Sequence, residues 1–134
     1  MTDCIFCKIV SGEIPAEKVY EDEHTLAFLD LHPSNPGHTL VVPKEHSRNV
    51  LDSHPDTLTH MIHTAQKIAV VLKNIGAEGV NIISNNETAA GQVIFHTHLH
   101  IIPRYTDDGL ALWHGKPYPE GEIEKMGEKI RNAL

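Results

Sequence analysis

Basic residues are scarce in this chain: 11 lysines and arginines stand against 18 acidic side chains, for a formal charge of -7. That balance excludes an electrostatic grip on nucleic acid or on an anionic membrane, so any phosphate has to be met by local groups. Long apolar runs are missing too, and nothing approaches the ~20 residues of a membrane span. The opening Met1-Thr2-Asp3-Cys4 lacks the charged and apolar regions of a signal peptide, which makes the cytoplasm the expected compartment. Internal repeats, linkers and low-complexity runs are absent as well. With 40% apolar residues among 134, the sequence predicts a single domain over 1–134 whose core needs no disulfides.

Cysteine is the next shortage. Cys4 and Cys7 are the only two, and they are too near each other to close a useful loop. In a reducing compartment C-x-x-C points to metal or redox chemistry. A thioredoxin-like reading needs a strand before the motif and a long helix after it, whereas Cys4 to Val10 reads as a knuckle opening a short helix that stops at Ser11-Gly12.

What the chain has in excess is histidine, 11 in all. The run Phe95-His96-Thr97-His98-Leu99-His100-Ile101-Ile102-Pro103-Arg104 places three of them at i, i+2 and i+4 among apolar, partly β-branched residues, which predicts a strand. Strand alternation puts His96, His98 and His100 on one accessible face and Phe95, Thr97, Leu99 and Ile101 on the other, packed face. Neighbouring histidines would then lie roughly 7 Å apart and the outer pair roughly 13 Å apart. A zinc ion holds its ligand nitrogens at only about 2.0–2.1 Å, so one ion recruits one end of the row and leaves the rest for another task.

Around that row the pattern predicts short strands at Val19 to Asp22, His24 to Leu31, His38 to Val42 and Val80 to Ser84, the last of them buried. Pro33-Ser34-Asn35-Pro36-Gly37 is a turn. Ser53 with Asp56 looks like a capping box for a long helix. Its core stripe is Leu58, Met61, Ile62, Ala65, Ile68, Ala69, Leu72 and Ile75, with Gly76 ending it and His60 and His63 in solvent. Asn85 to Gln92 is a polar loop leading into the histidine strand, and Tyr105 to Pro119 is irregular before a closing helix, Glu122 to Leu134. Trp113 is left with two roles, closing the core or reaching toward a neighbouring copy.

For the metal end, Cys4 and Cys7 with His96 and the loop residue His46 make a Cys2His2 set, the closed arrangement of structural zinc. A catalytic zinc with an open position, drawing on His98 and His100, is the competing arrangement. Soft thiolates and the lack of an H-E-x-x-H-like acid weigh against it. For the other end, His98, His100 and His38 remain for a substrate. A neutral imidazole can attack phosphorus while its other nitrogen is held by a carbonyl, and its neighbours can donate to non-bridging oxygens.

His96-Thr97-His98-Leu99-His100-Ile101-Ile102 resembles the H-φ-H-φ-H-φ-φ signature of the histidine triad (HIT) family, in its bacterial Hit-like branch with an N-terminal C-x-x-C. The likeness runs through Gly91-Gln92, Asn85, Pro43-Lys44-Glu45-His46, Gly37-His38 and Phe28-Leu29-Asp30 to Cys4 and Cys7, covering a core of 4–105 with a C-terminal segment over 106–134. It implies an α+β fold, an antiparallel sheet with one long helix and short N- and C-terminal helices, paired as a homodimer. It also implies a covalent nucleotidyl-histidine on His98, supported by His100 and His38. Phe28, Asp30 and Leu31 would hold a purine nucleoside, Asn85, Gly91 and Gln92 the phosphate side, and Cys4, Cys7, His46 and His96 the zinc. Val93 stands where many relatives carry a hydroxyl residue, and His100 stands where the uridylyl-transferring branch has glutamine, which favours hydrolysis. The expected activity is release of a nucleoside monophosphate from phosphoramidates or dinucleoside polyphosphates. The alternatives are a zinc-stabilised nucleotide-binding module with little catalysis and a zinc-dependent hydrolase.

Overall fold

The computed structural model describes residues 3–134; Met1 and Thr2 lie outside the described residues. Among the described residues three α-helices and five strands follow one another: α1 (Ile5–Val10), β1 (Lys18–Glu21), β2 (Thr25–Leu29), β3 (Thr39–Pro43), α2 (Pro55–Asn74), β4 (Gly79–Ile83), β5 (Leu99–Arg104) and α3 (Glu122–Ala133), with a short 3-10 turn at Thr88–Ala90 between β4 and β5. The strands form one sheet in the order β1-β2-β3-β5-β4, every pair antiparallel. This is the expected α+β architecture.

Strand alternation sorts the core into two layers. Ala27, Val41 and Ile101 face α2 and meet Met61, Ala65, Ile68 and Leu72. Leu26, Phe28, Leu40 and Val42 face the opposite way and meet Phe6 and Ile9 of α1. In the β3–β5 register Leu40 lies opposite His100, so His100 belongs to the α1 side of the sheet. The Pro33 to Gly37 turn is pinned by Asn35 Nδ2, which donates to the Pro103 carbonyl at 2.9 Å. Gly37 has φ 99°, and a Cβ there would stand 3.3 Å from Leu72 Cδ2, so only glycine fits.

Several expected details change. The regular strand starts at Leu99, because the chain before it bonds to a loop: Thr97 N–H donates to the Ser47 carbonyl at 2.9 Å. His96 and His98 are buried, at 0% and 7% exposure, where an accessible face was expected. The cap of α2 is His54, whose side chain accepts from Asp56 N–H. Ser53 instead bonds Ser47, the Asn49 carbonyl and Thr97. Ile62 and Ile75 flank the core stripe and are exposed. His60 stacks on His24 with ring centroids 3.8 Å apart, while His63 is exposed as expected. β4 is a half-covered edge strand because the sheet order leaves one side without a neighbour. Trp113 is 89% exposed and closes no core within this chain. Among the described residues no helix is long and apolar enough to cross a membrane.

Candidate active site and metal centre

The two ends of the histidine row occupy different environments. At the first end, Cys4 caps the N-terminus of α1, and its sulfur accepts the Cys7 N–H. The loop after β3 brings His46, and the approach to β5 brings His96. Cys4 Sγ and Cys7 Sγ lie 3.4 and 3.5 Å from His96 Nδ1, and Cys7 Sγ lies 3.3 Å from His46 Nδ1. The two ring nitrogens face each other at 3.1 Å. His96 Nε2–H donates to the Pro43 carbonyl at 2.9 Å, so Nδ1 carries the lone pair that points into the group. A tetrahedral zinc keeps its ligand atoms about 3.3–3.8 Å apart, within a few tenths of an ångström of these contacts. Converging lone pairs, soft sulfur donors and a carbonyl behind one imidazole therefore fit a metal ion. Cys4, Cys7, His46 and His96 together could hold one.

At the second end, His98 Nδ1–H donates to the carbonyl of His96 at 2.6 Å, which leaves its Nε2 lone pair bare. His38 and His100 form a directed chain. Ser34 N–H donates to His38 Nδ1 at 3.0 Å, so the His38 proton sits on Nε2 and is donated to His100 Nδ1 at 2.9 Å. The remaining His100 proton is on Nε2, an N–H donor beside the bare nitrogen of His98; the two rings are 5.0 Å apart. Asp30 Oδ2 stands 3.7 Å from His38 Nε2. Asp30, His38 and His100 could also group around a cation, but the two histidines already share a proton and face each other with no unmatched lone pair. Burial holds the His38, His98 and His100 imidazoles below their ordinary value, and at His100 the neighbouring His98 and His38 deepen the effect to about 4. All three are neutral near pH ~7, the state needed for attack and for donation.

These groups open onto a cavity of about 540 Å³. Phe28, Asp30, Leu31, Asn85, Gly91, His98 and His100 all line it, Leu31 from an exposed position at the rim. His38 stands behind His100. Gln92 does not line it; its amide is buried and spent on loop contacts, with Nε2 donating to the Arg48 carbonyl at 2.8 Å and the Ile94 carbonyl at 3.1 Å. The sequence reading missed the wall that α1 provides. Ile5, Phe6 and Ile9 line the cavity, and the Phe6 ring meets Phe28, His96 and His98 edge-on at 5.5, 5.9 and 5.1 Å. The signal was present in Cys4-Ile5-Phe6-Cys7, where the residues between the thiols are large and apolar.

A family model described as the HIT domain matches residues 11–107. An uncharacterized HIT-like protein of Methanocaldococcus jannaschii is 53% identical over 84% of this chain and 88% of its own length. A Schizosaccharomyces pombe protein named adenosine 5'-monophosphoramidase is 38% identical over 98% of each. Among solved structures, a Streptococcus mutans protein superposes with a TM-score of 0.93 at 44% identity, covering 99% of this chain and 86% of that one. A zinc-bound histidine triad protein of Mycobacterium smegmatis superposes at 0.79 and 38% identity, covering 99% of each. With that match over most of its length, and with three histidines in alternate positions, the chain belongs to the HIT family.

Proposed function

We propose that this protein is a nucleotide hydrolase that releases AMP from a phosphoramidate or a dinucleoside polyphosphate through a covalent nucleotidyl-histidine on His98. The observation that carries this is the bond from His98 Nδ1–H to the His96 carbonyl, which leaves Nε2 bare at the cavity. That lone pair attacks the α-phosphorus while the bond to the leaving amine or phosphate breaks, the leaving group taking the bonding pair and, for an amine, a proton from solvent. Water then attacks the phosphorus, the P–Nε2 bond breaks, AMP departs, and the water's proton passes to solvent. His100 Nε2–H stands ready to donate to a non-bridging oxygen as charge develops, relayed from His38. Asp30 suits the ribose hydroxyls, and the apolar wall of Phe6, Ile9 and Phe28 suits a purine. The name of the Schizosaccharomyces pombe relative supports the phosphoramidate as substrate.

Zinc suits the Cys4, Cys7, His46 and His96 donor set, where it would cross-link the N-terminus to the sheet and stabilise folding. Four protein donors fill a tetrahedral shell, so the hydrolytic water belongs to the His98 end. A homodimer is supported by the unpartnered edge of β4 and by the exposed apolar stripe Ile123, Met126 and Ile130 on α3, continued by Leu134 at its C-terminal cap. The unlinked thiols Cys4 and Cys7 suit the cytoplasm.

The test is AMP release from an adenosine phosphoramidate and from a diadenosine polyphosphate by the wild type and by His98→Ala. Wild type alone should release AMP, with acid-labile label trapped on the protein. Equal rates in the two proteins would sink the mechanism. A second reading, a nucleotide-binding module, has one observation in its favour: Val93, 80% exposed at the cavity, offers a leaving group no hydroxyl. Tight AMP binding with no turnover of either substrate would select it.

A further inference from the structure

Glu87 adopts φ 76° and ψ 158°, a backbone conformation that is essentially reserved for glycine. It sits in the loop between β4 and β5 that brings Asn85, Gly91, Val93 and Ile94 to the cavity. Backbone preference does not give the loop this shape, so side chains have to hold it. Arg48, in the loop after β3, grips the Glu87 carboxylate with two prongs, Nε donating to Oε2 at 3.1 Å and Nη2 to Oε1 at 2.9 Å. Asn49 Nδ2 donates to the same carboxylate at 2.5 Å and reaches Gln92 Oε1 at 3.1 Å. Gln92 Oε1 also accepts the Glu87 N–H at 2.8 Å, and the Gln92 N–H returns to the Glu87 carbonyl at 3.2 Å. The Arg48 guanidinium lies 4.3 Å above the Phe95 ring, one residue before His96. Arg48 holds the Glu87 carboxyl down to about 2, so the pair stays charged across the working pH range.

We infer that Arg48 is a positioning residue, acting through Glu87 to set the phosphate side of the cavity, Asn85 and Gly91, against His98. The inference rests on the hydrolase reading for what the cavity binds, though not for the clamp itself. Its energetic signature separates it from a structural role. The paired side chains are 51% and 44% exposed, and exposed ion pairs contribute little to global stability. What the clamp decides is where the loop stands.

The test uses the full chain with Arg48→Ala, Arg48→Lys, Glu87→Ala and Glu87→Gly. Arg48→Ala should lower kcat roughly tenfold with KM within about twofold, because a misplaced loop is felt in the transition state. Its melting temperature should stay near wild type, and amide exchange should accelerate over 85–93 alone. Glu87→Ala discriminates most sharply: it removes the clamp and keeps the backbone conflict, so it should resemble Arg48→Ala, whereas Glu87→Gly relieves the conflict and should recover kcat relative to Glu87→Ala. Full activity in Glu87→Ala would overturn the inference. Arg48→Lys should recover part of kcat, since an ammonium restores the charge without the fork. If the wild type releases no AMP, the hydrolase reading fails separately, and exchange over 85–93 decides the clamp. Local acceleration in Arg48→Ala supports it, and unchanged exchange refutes it.

Discussion

His96 and His98 stand two residues apart in the segment that leads into β5, and they present opposite nitrogens. His96 gives its Nε2–H to the Pro43 carbonyl and turns Nδ1 toward two thiols and His46. His98 gives its Nδ1–H to the His96 carbonyl and turns Nε2 toward the cavity. The same side chain is prepared as a metal donor in one place and, on the proposed hydrolase reading, as a nucleophile in the other, because different carbonyls capture different protons. What surrounds each free nitrogen completes the assignment. One faces sulfur and a second lone pair, while the other faces an N–H donor relayed through His38.

Exchanging alanine between the two ends should break the comparison most visibly. His98→Ala should lower AMP release by roughly 10⁴-fold or more, since losing a nucleophile removes the covalent route. Its metal content and melting temperature should stay close to wild type. His96→Ala should do the reverse, with metal stoichiometry collapsing and the melting temperature falling. If both variants lost metal and activity alike, the two ends would be one site, as the metal-dependent hydrolase reading requires.

Chelation should act on the first end and reach the second only through α1. Removing the metal, or Cys4→Ser, should cost about 3 kcal/mol or more, since the cross-link to the sheet is lost. In a domain of this size that is roughly 10 °C in melting temperature. In protein that remains folded, KM should rise more than kcat falls, because α1 supplies the wall and not the reacting groups.

Acid sharpens the comparison from the other side. His38 and His100 are held neutral by burial, with His100 at about 4 against an ordinary 6.5. Between those values the unfolded chain binds more protons than the folded one, so stability falls as the pH drops from about 6.5 to about 4. Above that window the contribution is fully present. Melting curves at successive pH values should show the slope, and His100→Asn should make it shallower, with His38 and His98 keeping their own share.

Much of this was legible because alternation and ligand chemistry are local signals. Cys4, Cys7, His46 and His96 meet as their ligand chemistry suggested, through a β3–β5 pairing that the structure supplies, and His38 reaches His100 across the same pairing. What escaped was set by partners distant in sequence. Gln92 reads as a substrate contact until Arg48, 44 residues away, is seen to occupy its amide. Ser53 reads as a helix cap until Thr97 and Ser47 claim its hydroxyl. The positive φ at Glu87 has no signal at all, since glutamate normally avoids that backbone region.

Phe6 touches both ends, and its truncation should give the smallest and most informative effect. The ring is buried and stands edge-on to His96 and His98, so it separates the metal centre from the cavity while contacting each. Phe6→Leu keeps most of the apolar volume and removes the edge contacts, a loss of about 1 kcal/mol. Melting temperature should drop by roughly 3–5 °C and AMP affinity should weaken about fivefold, while metal stoichiometry remains at one ion per chain. The ratio of those changes is the point of the measurement. If affinity weakens with stability nearly unmoved, Phe6 serves the purine wall. If stability and metal retention fall with affinity unmoved, Phe6 serves the metal end, and the coupling expected on chelation has to run through Ile5 and Ile9.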